Sequence, residues 1–305
     1  MMSGVARLSR RAPLRCVLFS LLALSAAGAT LPARAGSLSP ACAVPDQLVR
    51  LDGDLDRVIA RIHAARGPVR ILAIGSSSTS GVGASSPAAT YPAQLEEELA
   101  ERIPEAKFDV ENAGIAGEVI VRTAERLEQE VAADPPDLVI WQVGTNDALA
   151  GVGQDSFARV VESGLAFLEA RKIDVILMDQ QMFPKIEGNA AYAGFVDRVH
   201  RLASGAGVPV VQRFAAMAKW ATRPKGEQVD MLWKDRFHMN DQGYACVAEL
   251  VAEGLARRAD PAGAPASGTT PAVSPLPAGK ATPADGPATG APVSAAPAVV
   301  RAAGL

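Results

Sequence analysis

The chain has 305 residues, 49% of them hydrophobic, three cysteines, three histidines and a formal charge of -3. That length allows one large domain or two small ones. The acidic balance argues against nucleic-acid binding, and the few Cys and His residues show no metal-ligand spacing, so neither a metal nor a cofactor is expected.

The first 35 residues read as a secretory signal peptide. Arg7, Arg10, Arg11 and Arg15 form a positive start, and an apolar run from Cys16 to Ala29 follows. That run is shorter than the ~20 residues of a membrane span. Ala33-Arg34-Ala35 supplies a small-x-small cleavage pattern. Cleavage, rather than retention as an anchor, removes five arginines and no acid, so the formal charge falls from -3 to -8. A secreted or periplasmic protein is expected, without stable membrane insertion and repelled by anionic surfaces. Loss of Cys16 leaves Cys42 and Cys246, and in an exported protein two remaining cysteines suggest a disulfide.

The core, 36–260, opens with an amphipathic helical pattern carrying Leu48, Leu51, Leu55, Ile59 and Ile62 on one face. Short apolar runs at 69–75, 107–112, 137–144, 173–178 and 208–212 read as strands. Helical spacing lies between and after them: Leu95, Leu99 and Ile103; Phe157, Val160, Val161, Leu165 and Leu168; Tyr192, Phe195, Val196, Val199 and Leu202; and Tyr244, Val247, Leu250 and Val251. Continuous apolar strands alternating with helices predict a parallel sheet covered on both faces. The fold class expected is three-layer α/β/α, flavodoxin-like, with a five-stranded parallel sheet in the order 2-1-3-4-5. Pro209 agrees with an edge position for the fifth strand. From about residue 261 the composition collapses to Ala, Pro, Gly, Ser and Thr, and 261–305 reads as a disordered tail.

In such a sheet ligands bind outside the carboxyl ends of the strands. Gly75-Ser76-Ser77-Ser78-Thr79 follows the first strand, Asn112 to Gly117 the second, and Gly144-Thr145-Asn146-Asp147 the third; Asp235-Arg236-Phe237-His238 precedes the last helix. These types suit acyl transfer. A serine hydroxyl needs an adjacent base, which His238 can supply, with Asp235 to orient it. The N–H groups of Ser77 and Gly117 and the Asn146 amide can receive an oxyanion. Asp179-Gln180-Gln181-Met182, after the fourth strand, lies where it can shape the pocket. His63 and His200 fall in predicted helices without a partner motif and read as structural or surface residues.

These blocks resemble the SGNH hydrolases, the GDSL esterase/lipase superfamily, over about residues 69–252. The family's Gly-Asp-Ser, Gly, Gly-x-Asn-Asp and Asp-x-x-His blocks correspond in order to Gly75-Ser76-Ser77, Gly117, Gly144-Thr145-Asn146-Asp147 and Asp235-x-x-His238. Ser76 departs from the family's usual aspartate. Within Ser76-Ser77-Ser78 the nucleophile is a matter of alignment; Ser77 is favoured because Thr79 then matches the family's frequent threonine. The resemblance implies an exported esterase acting on a small-molecule, glycan or lipid ester through an acyl-serine. A catalytically silent carbohydrate-binding relative and an O-acyltransferase on glycans are the alternatives.

Overall fold

A computed structural model describes residues 37–224 and 226–260. The expected signal segment, 1–35, and the expected tail, 261–305, lie outside the described residues. Strands β1 (Pro68–Gly75), β2 (Lys107–Gly114), β3 (Leu138–Gln142), β4 (Asp174–Met178) and β5 (Val210–Val211) form one sheet in the order β2-β1-β3-β4-β5. Every pairing is parallel. The helices are α1 (Asp56–Ala64), α2 (Ser77–Ser80), α3 (Tyr91–Arg102), α4 (Ile120–Ala133), α5 (Thr145–Ala150), α6 (Gln154–Ala170), α7 (Ala190–Ala206), α8 (Arg213–Ala221) and α9 (Asp241–Ala259).

Successive strand residues point to opposite faces, and the core divides accordingly. Ile71 and Ala73 of β1, Leu138 and Ile140 of β3, and Ile176 and Met178 of β4 pack with α1, α3, α8 and α9. Their neighbours Leu72, Ile74, Val139, Trp141, Val175 and Leu177 pack with α4, α6 and α7. All residues of β3 and β4 are buried, the reason these strands read as unbroken apolar runs. The flavodoxin-like three-layer arrangement and the strand order are those expected from the sequence.

The structure differs from expectation in three respects. The helix predicted across Leu48–Ile62 is confined to α1, with a separate turn at Asp46–Leu48. Leu48, Leu51 and Leu55 are still buried, but the backbone at Gly53 and Asp54 is drawn against the approach to β5. A Cβ on Gly53 would lie 2.5 Å from the Pro209 nitrogen, and the Asp54 N–H donates to the Gly207 carbonyl at 2.7 Å. Secondly, β5 contains two residues. Pro209 precedes it, and its carbonyl accepts from the Leu177 N–H. Thirdly, α4 and α8, with the short α2 and α5, have no counterpart in the sequence reading. The inward positions of α8 are Arg213, Ala216, Met217 and Trp220, a helical spacing whose first member is an arginine.

Cys42 is disulfide-bonded to Cys246 of α9, across 204 positions of sequence. Closing a loop of that length in the unfolded chain is worth about 5 kcal/mol by the chain-entropy model. Thiol titration of unfolded, unreduced protein lacking residues 1–35 is expected to detect no free thiol. Two thiols per chain would show that the bridge does not form.

Candidate active site

The carboxyl ends of β1 and β2 meet at Gly75 and Gly114, which pair in register. The short helix α2 turns directly over this point. A Cβ on Gly114 would lie 2.1 Å from the Ser80 nitrogen, so any larger residue would push α2 off the sheet. The serine block at the start of this turn is held from two sides. Gln142, at the end of β3, accepts from the Ser76 N–H at 2.8 Å and from its hydroxyl at 3.0 Å. Arg213 donates from Nη1 to the Ser78 hydroxyl oxygen at 2.7 Å. Ser78 is 1% exposed, against 7% for Ser77. The hydroxyls of Ser76 and Ser78 are therefore committed, and that of Ser77, between them, has no protein partner among the described residues.

Asp235 and His238 form a pair. His238 Nδ1 lies 2.6 Å from Asp235 Oδ2, while Asp235 Oδ1 accepts the N–H groups of Phe237 and His238 at 2.9 and 3.0 Å. Burial alone would raise the Asp235 carboxyl, but the His238 ring and these two N–H groups outweigh it, leaving the carboxyl below its ordinary range. The carboxylate thus stays ionised and holds Nδ1, which leaves Nε2 free for chemistry. The turn is tight enough to put Arg236 at a positive φ of 57°, an uncommon setting for a residue with a side chain, and the Arg236 guanidinium is tied to Asp230 at 2.9 Å.

Three bonds pin the start of α9, which follows this loop, to the segment after the serine block. The Tyr244 hydroxyl donates to the Val82 carbonyl at 2.6 Å, and Asp241 accepts the Ser85 N–H at 2.7 Å and the Ser85 hydroxyl at 2.6 Å. Asn240, two residues after His238, caps α9 by accepting the Gly243 N–H at 2.9 Å. No hydrogen bond joins the Ser77 hydroxyl to the His238 ring, and catalytic bonds commonly tighten only when substrate binds.

Asn146 is tied to the loop that carries Gly117: its Nδ2 donates to the Glu118 carbonyl at 2.7 Å. An amide nitrogen carries two protons, so this bond fixes the group beside the Glu118–Val119 peptide, one residue past Gly117, and leaves one donor free. Glu118 is itself held by Arg126 at 2.7 Å. Asp147 does different work: its Oδ1 accepts the Ile120 N–H at 2.9 Å, at the start of α4. The last two residues of the Gly-Thr-Asn-Asp block thus both tie β3 to the loop that carries Gly117.

Gln142, Arg213 and Asp179 had no assigned partner in the sequence reading. Asp179 is fully buried; it accepts from the Phe214 N–H at 2.8 Å and pairs with His200 Nε2 at 2.9 Å. His200 therefore has a carboxylate partner that sequence spacing did not reveal. His63 bonds the Ala259 carbonyl at 2.8 Å, remote from these groups. No group of three or more potential metal-ligating side chains occurs among the described residues, and no described helix is long and apolar enough to cross a membrane. A cavity of about 710 Å³ lies near Asp174 and Arg57, at the amino end of β4 and so away from this edge. Another, of about 720 Å³, starts at Ser80 and Gly81 and runs past Ser86, Glu97 and Asn112.

The model of the non-GDSL lipase-like family matches residues 41–261. The chain belongs to that family. No curated protein matches it. Among solved structures, this non-GDSL lipase-like chain is similar in fold to a two-domain esterase active on acetylated mannans, at 24% identity and a TM-score of 0.56, over 73% of this chain and 59% of the other. The chain therefore spans less than two thirds of that esterase. It is also similar to TesA, at 22% identity and a TM-score of 0.53 over 61% and 97% of the two chains. An acetyl xylan esterase, AlAXEase, matches at 23% identity and a TM-score of 0.50 over 60% and 97%. The likeness to these structures is one of fold.

Asp147 yields a prediction. Burial is the largest influence on its carboxyl and raises it above the ordinary range, against the bonds from Ile120 and neighbouring N–H groups. Asp147→Ala should lower unfolding free energy by about 1 kcal/mol by stranding the Ile120 N–H. Asp147→Asn keeps an acceptor and should cost less. A raised carboxyl favours the folded state at low pH, and that contribution is lost as pH rises through the folded-state value. The stability of the wild type relative to Asp147→Asn should therefore decline on going from acid to neutral pH in denaturant titrations; a rising difference would contradict the assignment.

Proposed function

We propose that the protein is an exported carboxylic ester hydrolase that works through an acyl-serine at Ser77. The observation that carries this reading is the division of the serine block, with one hydroxyl uncommitted, beside a loop in which a carboxylate holds His238 by Nδ1. Ser77 Oγ attacks the ester carbonyl carbon while His238 Nε2 takes its proton, and Asp235 stabilises the imidazolium. The oxyanion meets the N–H groups of Ser77 and Gly117 and the remaining proton of the Asn146 amide. Collapse breaks the bond to the alkoxy group, which leaves as an alcohol with the proton from His238. Water then attacks the acyl-serine, again with His238 as base, and releases the acid.

The substrate class proposed is the acetylated glycan. The cavity beside α2 is lined by hydroxyls, an amide and carboxylates, which suits a neutral polyol as the leaving side. Two proteins with this fold are an esterase active on acetylated mannans and an acetyl xylan esterase. Export rests on the signal-like residues 1–35, and a disulfide suits an oxidising compartment.

Steady-state kinetics on a short-chain aryl ester test the mechanism. Ser77→Ala should abolish turnover. Asn146→Ala leaves nucleophile and base in place and should lower kcat by about 10²–10³-fold, with a much smaller change in KM because the donor acts mainly in the transition state. Undiminished activity in Ser77→Ala would remove the serine-esterase reading.

A further inference from the structure

Arg213 is the least expected residue of the core. It is fully buried at the first position of α8, where the other inward side chains are Ala216, Met217 and Trp220. An apolar residue would satisfy the packing there, and a buried cation is expensive unless its donors are well used. No carboxylate is hydrogen-bonded to this guanidinium. Nε and Nη2 donate to the Asp179 main-chain carbonyl at 3.1 and 2.7 Å, and Nη1 donates to the Ser78 hydroxyl at 2.7 Å. The Asp179 carboxylate is engaged elsewhere, with the Phe214 N–H and His200. Burial is the largest influence on the guanidinium and lowers its basicity, against the nearby Asp179 charge.

These bonds have a mechanical sense. Arg213 clamps the turn after β1 to the residue that follows β4. The same turn is held by Gln142 through Ser76 and rests on Gly114. Ser77 sits between the two clamped serines. Guanidinium groups only donate, so the Ser78 oxygen is fixed as an acceptor. We propose that Arg213 is a positioning residue for the nucleophile: by gripping Ser78 it fixes the first turn of α2, so that the Ser77 hydroxyl and N–H keep their places relative to the ester carbonyl. This rests on the assignment of Ser77 above. A displacement of about 1 Å at a reacting atom can cost about 10²-fold in rate, so the clamp should be visible in kcat.

The test separates positioning from folding. Each protein is titrated to completion with a fluorophosphonate, which counts activated serines, and kcat is expressed per labelled site alongside KM on an aryl acetate. Arg213→Gln and Ser78→Ala should each lower kcat per labelled site by about 10–100-fold, with KM within about threefold. The double variant should be no worse than Arg213→Gln alone, because both changes break one bond. Arg213→Lys, which keeps the charge but cannot fork across both acceptors, should recover part of the loss. Ser78→Ala leaves α8 and its arginine in place, so it decides the matter should Arg213→Gln fail to fold. Near-wild-type kcat per labelled site in Ser78→Ala, or losses that multiply in the double variant, would overturn the proposal. Failure of the wild type to label would instead overturn the serine-esterase reading beneath it.

Discussion

Two buried side chains, Gln142 at the end of β3 and Arg213 at the start of α8, take the hydroxyls on either side of Ser77. The arrangement of the site follows from this grip. A run of three serines offers three similar hydroxyls, and sequence separates them only through alignment, by the match of Thr79. Once Ser76 and Ser78 are bound internally, the hydroxyl of the middle residue is the one left without a protein partner among the described residues. The same grip fixes the turn that carries the Ser77 N–H, so the proposed nucleophile and one proposed oxyanion donor belong to one local structure.

The sheet supplies the rest of the geometry. Parallel strands bring their carboxyl ends to one edge, and the connections after β1, β2 and β3 deliver the serine block, Gly117 and Asn146 there. His238, the proposed base, arrives by a different route. It sits on an irregular loop before α9, held by the Leu232–Met239 bridge, by the Asn240 cap and by the bonds of Tyr244 to Val82 and of Ser85 to Asp241. The disulfide fastens the other side of α9 to the amino-terminal segment at Cys42. A helix buried along most of its length thus acts as the rigid support for a histidine that lies on a loop.

Much of this was legible in the sequence for physical reasons. Strands buried on both faces leave unbroken apolar runs, and helices covering them leave a 3.6-residue pattern, so the strand order could be anticipated. The Asp235-x-x-His238 spacing predicts a local pair, because one turn of chain is enough to join them. What sequence did not reveal depends on distant contacts. The pattern Leu48–Ile62 is helical in spacing, yet Gly53 is pulled against Pro209 and the helix starts later. Helix α8 was hidden because an arginine occupies its first inward position. The Asp179–His200 and Ser78–Arg213 contacts join residues 21 and 135 positions apart, and no local signal marks either.

The central claim is that Ser77, Gly117 and Asn146 serve one reacting carbonyl. A crystal structure of the protein inactivated by a short alkyl fluorophosphonate tests it most directly, since the adduct mimics the tetrahedral intermediate. The account predicts phosphorus bonded to Ser77 Oγ, with one phosphonyl oxygen within hydrogen-bonding distance of the Ser77 and Gly117 nitrogens and of Asn146 Nδ2. Phosphorus on Ser76 or Ser78, or an oxygen directed away from Gly117 and Asn146, would contradict it.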